Sequence, residues 1–308
     1  MKDKLVTLIG GGGFLGRYVA QALLAAGARV RVAQRDPREA WFLKPLGGLG
    51  QTQFVAADIT RPDTVARAIA GADAVVNLVG SFTGDLQRLH VAGPRALAEA
   101  ARTAGVSALV HVSAIGADPD GDALYAQTKG AGEAAVREAF PGVTILRPAT
   151  VFGREDHFVN MFAGMVAKLP VVPVLKPGAR FQPVFAGDVG EAVTAALAEP
   201  EAFGGRTFEL GGPDVLTMLE LQQWIARQIG RNPSFVPLPD ALGGLLAALP
   251  GAPISRDQWK LLQRDTIVAP GADGLQALGI TPTPLAAVAP GWLVRFQRSG
   301  RFARPTAA

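Results

Sequence analysis

Residues 5–16, Leu-Val-Thr-Leu-Ile-Gly-Gly-Gly-Gly-Phe-Leu-Gly, constrain the chain more than any other stretch. Leu5–Ile9 is a short apolar run and reads as a buried strand. The glycines follow at once, and an amphipathic pattern over Leu15–Ala26 reads as a helix. At the spacing Gly10, Gly13, Gly16 each glycine has a physical task. One permits the tight turn, one lets the backbone approach a pyrophosphate, and one lets helix and strand pack closely. The helix N-terminus then offers unpaired N–H groups and a partial positive charge to phosphates. Strand, glycine loop and helix in this order make a pocket for the pyrophosphate of a dinucleotide.

The same alternation continues. Arg29–Ala33, Gln53–Ala56, Ala74–Leu78, Ala108–Val112 and Val143–Leu146 read as strands. Thr64–Ile69, Gln87–Ala104 and Ala131–Ala139 read as helices between them. This alternation predicts an α/β fold, a Rossmann-type doubly wound parallel sheet covered on both faces. After Arg147-Pro148, prolines at 170, 173, 177 and 183 break the pattern. Phe181–Phe185 is strand-like and feeds a helix starting near Asp188, and Arg206–Leu210 is a further strand. From Thr217 helices dominate, over Leu219–Ile229, Ala241–Leu249 and Asp257–Leu262. The expected organisation is a nucleotide domain over 1–150, to which the chain returns around 184–210. A smaller, mainly helical C-terminal lobe then takes up 151–308 and ends in a basic tail, 292–308.

With no cysteine among 308 residues, disulfides and thiolate chemistry are excluded, and a reducing compartment fits. No stretch reaches the roughly 18–20 apolar residues of a membrane span, so the expected location is cytoplasmic. The net charge of +4 is placed unevenly. No acid follows Asp273, and Arg295, Arg298, Arg301 and Arg304 carry the excess. A basic tail is not a basic face, which argues against nucleic-acid binding.

Cofactor choice falls to the end of the second strand, Val32-Ala33-Gln34-Arg35-Asp36-Pro37. Arg35 suits a ribose 2′-phosphate. Asp36 could serve as the acid of an NAD site, but Asp before Pro is also a helix N-cap. On balance the reading is NADP(H) rather than NAD(H). Asp58-Ile59 follows the third strand, where Asp58 could meet an adenine amino group or simply cap its loop. Asn77-Leu78-Val79-Gly80 ends the fourth strand. Gly80 there permits close approach of a nucleotide or is an ordinary strand-end glycine.

Of two tyrosines, Tyr125 has Lys129 four residues on, so the two share a helix face. The lysine charge would lower the phenol pKa and could hold the nicotinamide ribose. Tyr125 would then be a general acid or base, with Ser113 polarising the same oxygen. The competing reading is a surface pair on a helix. His90, His111 and His157 lack ligand spacing, and no metal site is indicated.

The ordered set Gly10/Gly13/Gly16, Arg35, Asp58-Ile59, Ser113, Tyr125/Lys129 and Arg147-Pro148 resembles the extended or atypical short-chain dehydrogenase/reductase superfamily. Further stretches resemble the NADPH-binding accessory subunits of respiratory complex I (NADH:ubiquinone oxidoreductase) and their bacterial relatives. These are Gly13–Val19, Pro45-Leu-Gly-Gly-Leu-Gly-Gln51, Asn77–Gly80, Tyr125–Lys129 and Val151-Phe-Gly-Arg-Glu-Asp-His-Phe158. Phe185-Ala-Gly-Asp-Val189 fits the wider superfamily. The resemblance implies a largely structural NADPH, touched by Gly10, Gly13, Phe14, Leu15, Gly16, Arg35, Asp58, Ile59, Leu78, Gly80, Lys129 and Pro148. It implies partners among the complex I subunits and a peripheral position on the cytoplasmic face of the inner (cell) membrane.

Because Ser113, Tyr125 and Lys129 are all present, two other readings stay open. One is a free-standing NADP-dependent reductase or epimerase acting on a carbonyl, alcohol or sugar nucleotide. The other is a sensor that binds NADP(H) without turnover. Trp292, Leu293, Val294, Phe296 and Phe302 interleave with the four tail arginines. That mixture suits an anionic membrane surface, or else a frayed soluble tail. The apolar Ala241–Leu249 run is read as lobe core rather than a partner-facing patch.

Overall fold

The computed structural model describes residues 1–247, 254–298 and 300. Strands β1 (Leu5–Ile9), β2 (Arg29–Gln34), β3 (Thr52–Ala56), β4 (Ala74–Asn77), β5 (Ala108–Val112) and β6 (Thr144–Pro148) join Thr207–Leu210 in one sheet. All its pairings are parallel, in the order Thr207–Leu210, β6, β5, β4, β1, β2, β3. The central strands β4 and β5 are buried along their whole length. This is why they read as continuous apolar runs rather than alternating ones.

The strand order reverses between β1 and β4, the switch point where such sheets open a crevice at their C-terminal edge. Register fixes what lines that edge. Ile9 stands beside Ala33 and Asn77, and Asn77 beside His111. The residues just after each strand, Gly10, Arg35, Leu78 and Ser113, therefore emerge together. Helices α1 (Phe14–Ala25), α2 (Pro62–Ile69), α3 (Gly93–Thr103) and α4 (Leu124–Ala139) connect the strands. Val65, Ile69, Leu97 and Val136 from α2, α3 and α4 pack on Leu109 and Ile145 of the sheet.

The sequence reading differs from the structure in two helices. The single expected helix Gln87–Ala104 begins with a π-helical turn, Arg88–Ala92, and is α-helical only from Gly93. Helix α4 begins seven residues before Ala131, at Leu124. Its glycines, which disguise the helical pattern, are set by packing: a Cβ on Gly132 would strike the carbonyl oxygen of His90.

Two compact units result. The first comprises Met1–Pro148, Ala186–Leu210 and Val268–Thr281. It includes helix α6 (Ala186–Ala198), and the return of 268–281 has no counterpart in the sequence reading. The second comprises Ala149–Phe185, Gly211–Ile267 and the chain from Pro282. Its core gathers Phe152, Val159, Phe162, Phe181, Leu221, Ile225 and Leu293. Helices α5 (Phe158–Lys168) and Met218–Gln228 supply much of it, the latter started by a capping box of Thr217 and Glu220. This unit also holds three two-stranded sheets. The expected Phe181–Phe185 strand is split at Gln182-Pro183 between two of them.

Two further expectations for this unit are corrected. Trp292, Leu293 and Phe296 are not a loose tail but part of the core, with Trp292 6.5 Å from the Phe152 ring. Leu293 is in that core, and Trp292 and Phe296 are half-buried against it. Arg301, Phe302 and Arg304 lie outside the described residues. The Ala241–Leu249 run forms a helix over Asp240–Leu246. Leu242 and Leu245 on it are exposed rather than core, and residues 248 and 249 lie outside the described residues.

Candidate functional site

At the switch point the glycines divide the tasks unequally. Gly10 takes φ +79°, a left-handed conformation that side chains resist, and its N–H donates to the Ala33 carbonyl at 2.8 Å. Gly16 is the packing glycine, since a Cβ there would run into the backbone of Gly11. Gly13 is exposed, and a Cβ on it would meet only the Gly10 oxygen, at 3.5 Å. It is the N-cap of α1 and offers no side chain, so the first-turn amides keep their capacity to donate. An anion fits there without displacing any protein group. Phe14 and Leu15 in that turn are half-buried, with the Phe14 ring edge-on to Tyr18 at 5.7 Å.

At the end of β2 the two neighbouring charges have different duties. Asp36 caps the 3₁₀ helix Pro37–Leu46, accepting from the Arg38 N–H at 3.0 Å and pairing with the Arg38 guanidinium at 2.9 Å. These bonds hold its carboxyl below the usual carboxylate range. Its oxygens are thus engaged locally, as an N-cap. Arg35 is exposed beside it.

The Asp58 carboxylate accepts from the Thr60 N–H at 2.9 Å and the Thr60 hydroxyl at 2.8 Å. Those bonds, aided by Arg35 and Arg61, lower its pKa. One oxygen, Oδ1, does this loop-capping work. Ile59 is buried beneath. The Leu78 N–H donates to Ile9 at 2.9 Å, which ties the β4 exit to the glycine loop. Gly80 is exposed, with nothing within 4 Å of where its Cβ would be. Protein packing therefore does not require glycine at that position.

Across the crevice, Ser113 emerges from β5 and Pro148 ends β6. The Ser113 hydroxyl is buried and has no hydrogen-bond partner among the described residues. A buried hydroxyl left unpaired is costly, and a bound polar group would satisfy it. Lys129 is 2% exposed, and its Nζ donates to the Val112 carbonyl, next to Ser113, at 2.9 Å. Burial pushes this ammonium down to about 8 against partial support from Glu133, whose carboxylate Arg147 grips at 2.7 and 2.9 Å. The Tyr125 phenol departs from expectation. Burial raises it to about 12 instead of Lys129 lowering it. Desolvation of the phenolate outweighs the lysine, which is turned to the β5 backbone.

Three residues around Tyr125 escape sequence reasoning. Phe82 stacks on its ring at 4.3 Å, and His90 meets it edge-on at 5.4 Å. His90 Nε2 accepts from the Ser81 N–H at 3.2 Å, so the proton sits on Nδ1, which donates to Thr128 Oγ1 at 2.9 Å. Thr128 in turn donates to the Leu124 carbonyl at 2.9 Å. Burial, with the Lys129 charge, holds His90 neutral, down to about 4. The histidine thus ties the loop after β4 to the first turn of α4, which carries Tyr125. No local spacing announces that role. His111 is buried in the core, accepting from Asn77 Nδ2 at 3.0 Å.

The Val151–Phe158 stretch lies in the other unit. There Asp156 accepts from the Gly153, Val159 and Asn160 amides at 3.1, 2.6 and 3.3 Å and starts α5. Its distinctive sequence is a loop-and-helix cap.

A parallel sheet reversing at β1/β4 and a glycine turn into an uncapped helix define a dinucleotide-binding fold of short-chain dehydrogenase/reductase build. Residues 6–211 match the NAD dependent epimerase/dehydratase family, and the chain belongs to that family. It is 33% identical, over 96% of its own length and 79% of the relative's, to "NADH dehydrogenase [ubiquinone] 1 alpha subcomplex subunit 9, mitochondrial" of Arabidopsis thaliana. It is 31% identical, over 84% of its length and 79% of the relative's, to a ceramide reductase of Caulobacter vibrioides. Among solved structures, Citrobacter sp. triphenylmethane reductase complexed with NADP(H) matches with a TM-score of 0.74 at 22% identity, covering 91% of this chain and 96% of that one. This likeness speaks to the fold. Among the described residues no helix is long and apolar enough to cross a membrane.

Proposed function

We propose that the chain is an NADPH-binding accessory subunit of respiratory complex I in which the cofactor is mainly structural. The observation that carries this is the 33% identity to a plant complex I subunit, which runs through both units rather than the nucleotide-binding part alone. The amides after Gly13 would hold the pyrophosphate and Arg35 the 2′-phosphate that distinguishes NADP from NAD. Asp58 and Ile59 would lie at the adenine, Leu78 and Gly80 along the nucleotide, and Lys129 and Pro148 at the nicotinamide end. Bound NADPH could supply a hydride. What favours holding over turnover is that Lys129 Nζ is engaged with the Val112 carbonyl. Attachment to the complex would place the chain peripherally on the cytoplasmic face of the cell membrane.

The test is purification of a tagged chain from detergent-solubilised membranes, with the released nucleotide identified from the same sample. Co-purification with complex I subunits and stoichiometric NADPH is expected. Recovery only from the soluble fraction would rule the subunit role out.

A second reading, a reductase of a carbonyl substrate, draws on the unpaired Ser113 hydroxyl and the similarity to a ceramide reductase. It requires NADPH oxidation with added carbonyl substrates, abolished by Tyr125→Phe. An unchanged rate in that variant would eliminate it.

A further inference from the structure

The stretch Pro45-Leu-Gly-Gly-Leu-Gly-Gln51 has no duty in nucleotide binding, yet its geometry is firmly set. The Gln51 N–H donates to the Gly48 carbonyl at 3.2 Å, and the Gly48 N–H donates to Gln51 Oε1 at 2.6 Å. Gly50 takes φ +78°, the third position of a type II turn. Leu49 occupies the apex of that turn and is fully exposed. Water disfavours a bare leucine, and a turn apex normally carries a polar residue or glycine. Just before it, Trp41 is 49% exposed, and Phe42 and Leu46 are 40% exposed each. Four large apolar side chains thus reach solvent within nine residues, where scattered single exposures are the norm.

Cations accompany them. Lys44 Nζ lies over the Trp41 ring at 4.0 Å, and the Arg17 guanidinium lies over the Phe42 ring at 4.2 Å. Two acids lie nearby: Asp36 is neutralised by Arg38 at 2.9 Å, and Glu39, exposed in the first turn of the same 3₁₀ helix, is outnumbered by Arg17 and Lys44. We infer that Trp41–Leu49 is a protein-docking surface whose partner offers an apolar pocket for Leu49 and Trp41 inside an acidic rim. This rests on the reading of the chain as a subunit of a larger complex. Charge complementarity sets the rim. The fixed turn sets the pocket, because a side chain already held in place loses little freedom on docking. Aromatic and leucine anchors ringed by cations are what such contacts concentrate.

The test uses complex I prepared without this subunit, to which purified full-length chain is added back and association measured by native gel and sedimentation. Leu49→Asp and Trp41→Asp are compared with wild type and with Val215→Asp, a control at another exposed apolar site in the second unit. Retained NADPH fluorescence in every variant checks folding. The expected result is wild-type binding, at least about tenfold weaker association for Leu49→Asp and Trp41→Asp, and no change for the control. Undiminished binding by both variants would overturn the docking surface and leave the subunit reading standing. Failure of wild type to bind would remove both. Binding to phosphatidylcholine/phosphatidylglycerol vesicles that these variants lose, while still joining the complex, would overturn the inference in favour of lipid.

Discussion

Lys129 is at odds with its surroundings, since burial holds it near 8, well under the 10.5 of an exposed lysine. The unfolded chain therefore binds a proton that the folded chain gives up between those values. The strain of a buried charge is present below pH 8 and is relieved as pH rises to 10.5. Stability attributable to this group should rise by about 3 kcal/mol over that window. In Lys129→Met the rise should vanish from denaturant midpoints measured at pH 7.5, 9 and 10.5. Arg35 carries the other residue-scale expectation. With Asp36 committed to Arg38, the free end of β2 favours a phosphate. Arg35→Ala should weaken NADPH about tenfold or more and leave NADH nearly unchanged, as titrations of both would report. Equal losses for the two nucleotides would remove Arg35 from the 2′-phosphate.

Among elements, the β1–loop–α1 unit was the most legible. Its pattern is local: five apolar residues, a turn only glycine can make, and an amphipathic helix. Gly16 shows how tightly it is built. Gly16→Ala would press a methyl into the Gly11 backbone and force loop and helix apart. We expect it to cost about 1–3 kcal/mol in thermal or denaturant unfolding and to abolish dinucleotide retention. Gly13→Ala, where space is open, should cost far less stability. Elements whose pattern comes from distant partners were the illegible ones. Helix α4 hid its first turns behind Gly130 and Gly132, which fit against the Asp118-Pro119 and His90 backbones, and the Trp292–Phe296 segment looked like a tail because its core partners, Phe152 and Leu221 among them, are distant in sequence.

At the scale of the molecule, a structural cofactor should behave as a part of the fold. Binding to the native state alone stabilises it by about 2.7 kcal/mol at a hundredfold excess over Kd. Thermal unfolding should therefore shift upward with NADPH, and more with NADPH than with NADH. Tyr125→Phe should keep that shift and its place in the complex, because the ring contacts with Phe82 and His90 survive the change. A variant that unfolds earlier despite saturating NADPH would show that the hydroxyl itself holds the site together.

What the sequence determined by itself was whatever repeats at short range. Strand and helix periods, the glycine turn, Asp36 before Pro37 and the Tyr125/Lys129 spacing each involve residues within a few positions of one another. They were enough for the parallel doubly wound sheet and for the glycine turn at its C-terminal edge. Tertiary structure alone decided how those groups are tuned. The Tyr125 phenol rises and Lys129 falls because residues far along the chain exclude water from them. His90 becomes a tether because Ser81 and Thr128 arrive on either side of its ring. Leu49 is conspicuous only because the fold leaves it uncovered. Desolvation and exposure are properties of the packed chain, and no local pattern carries them.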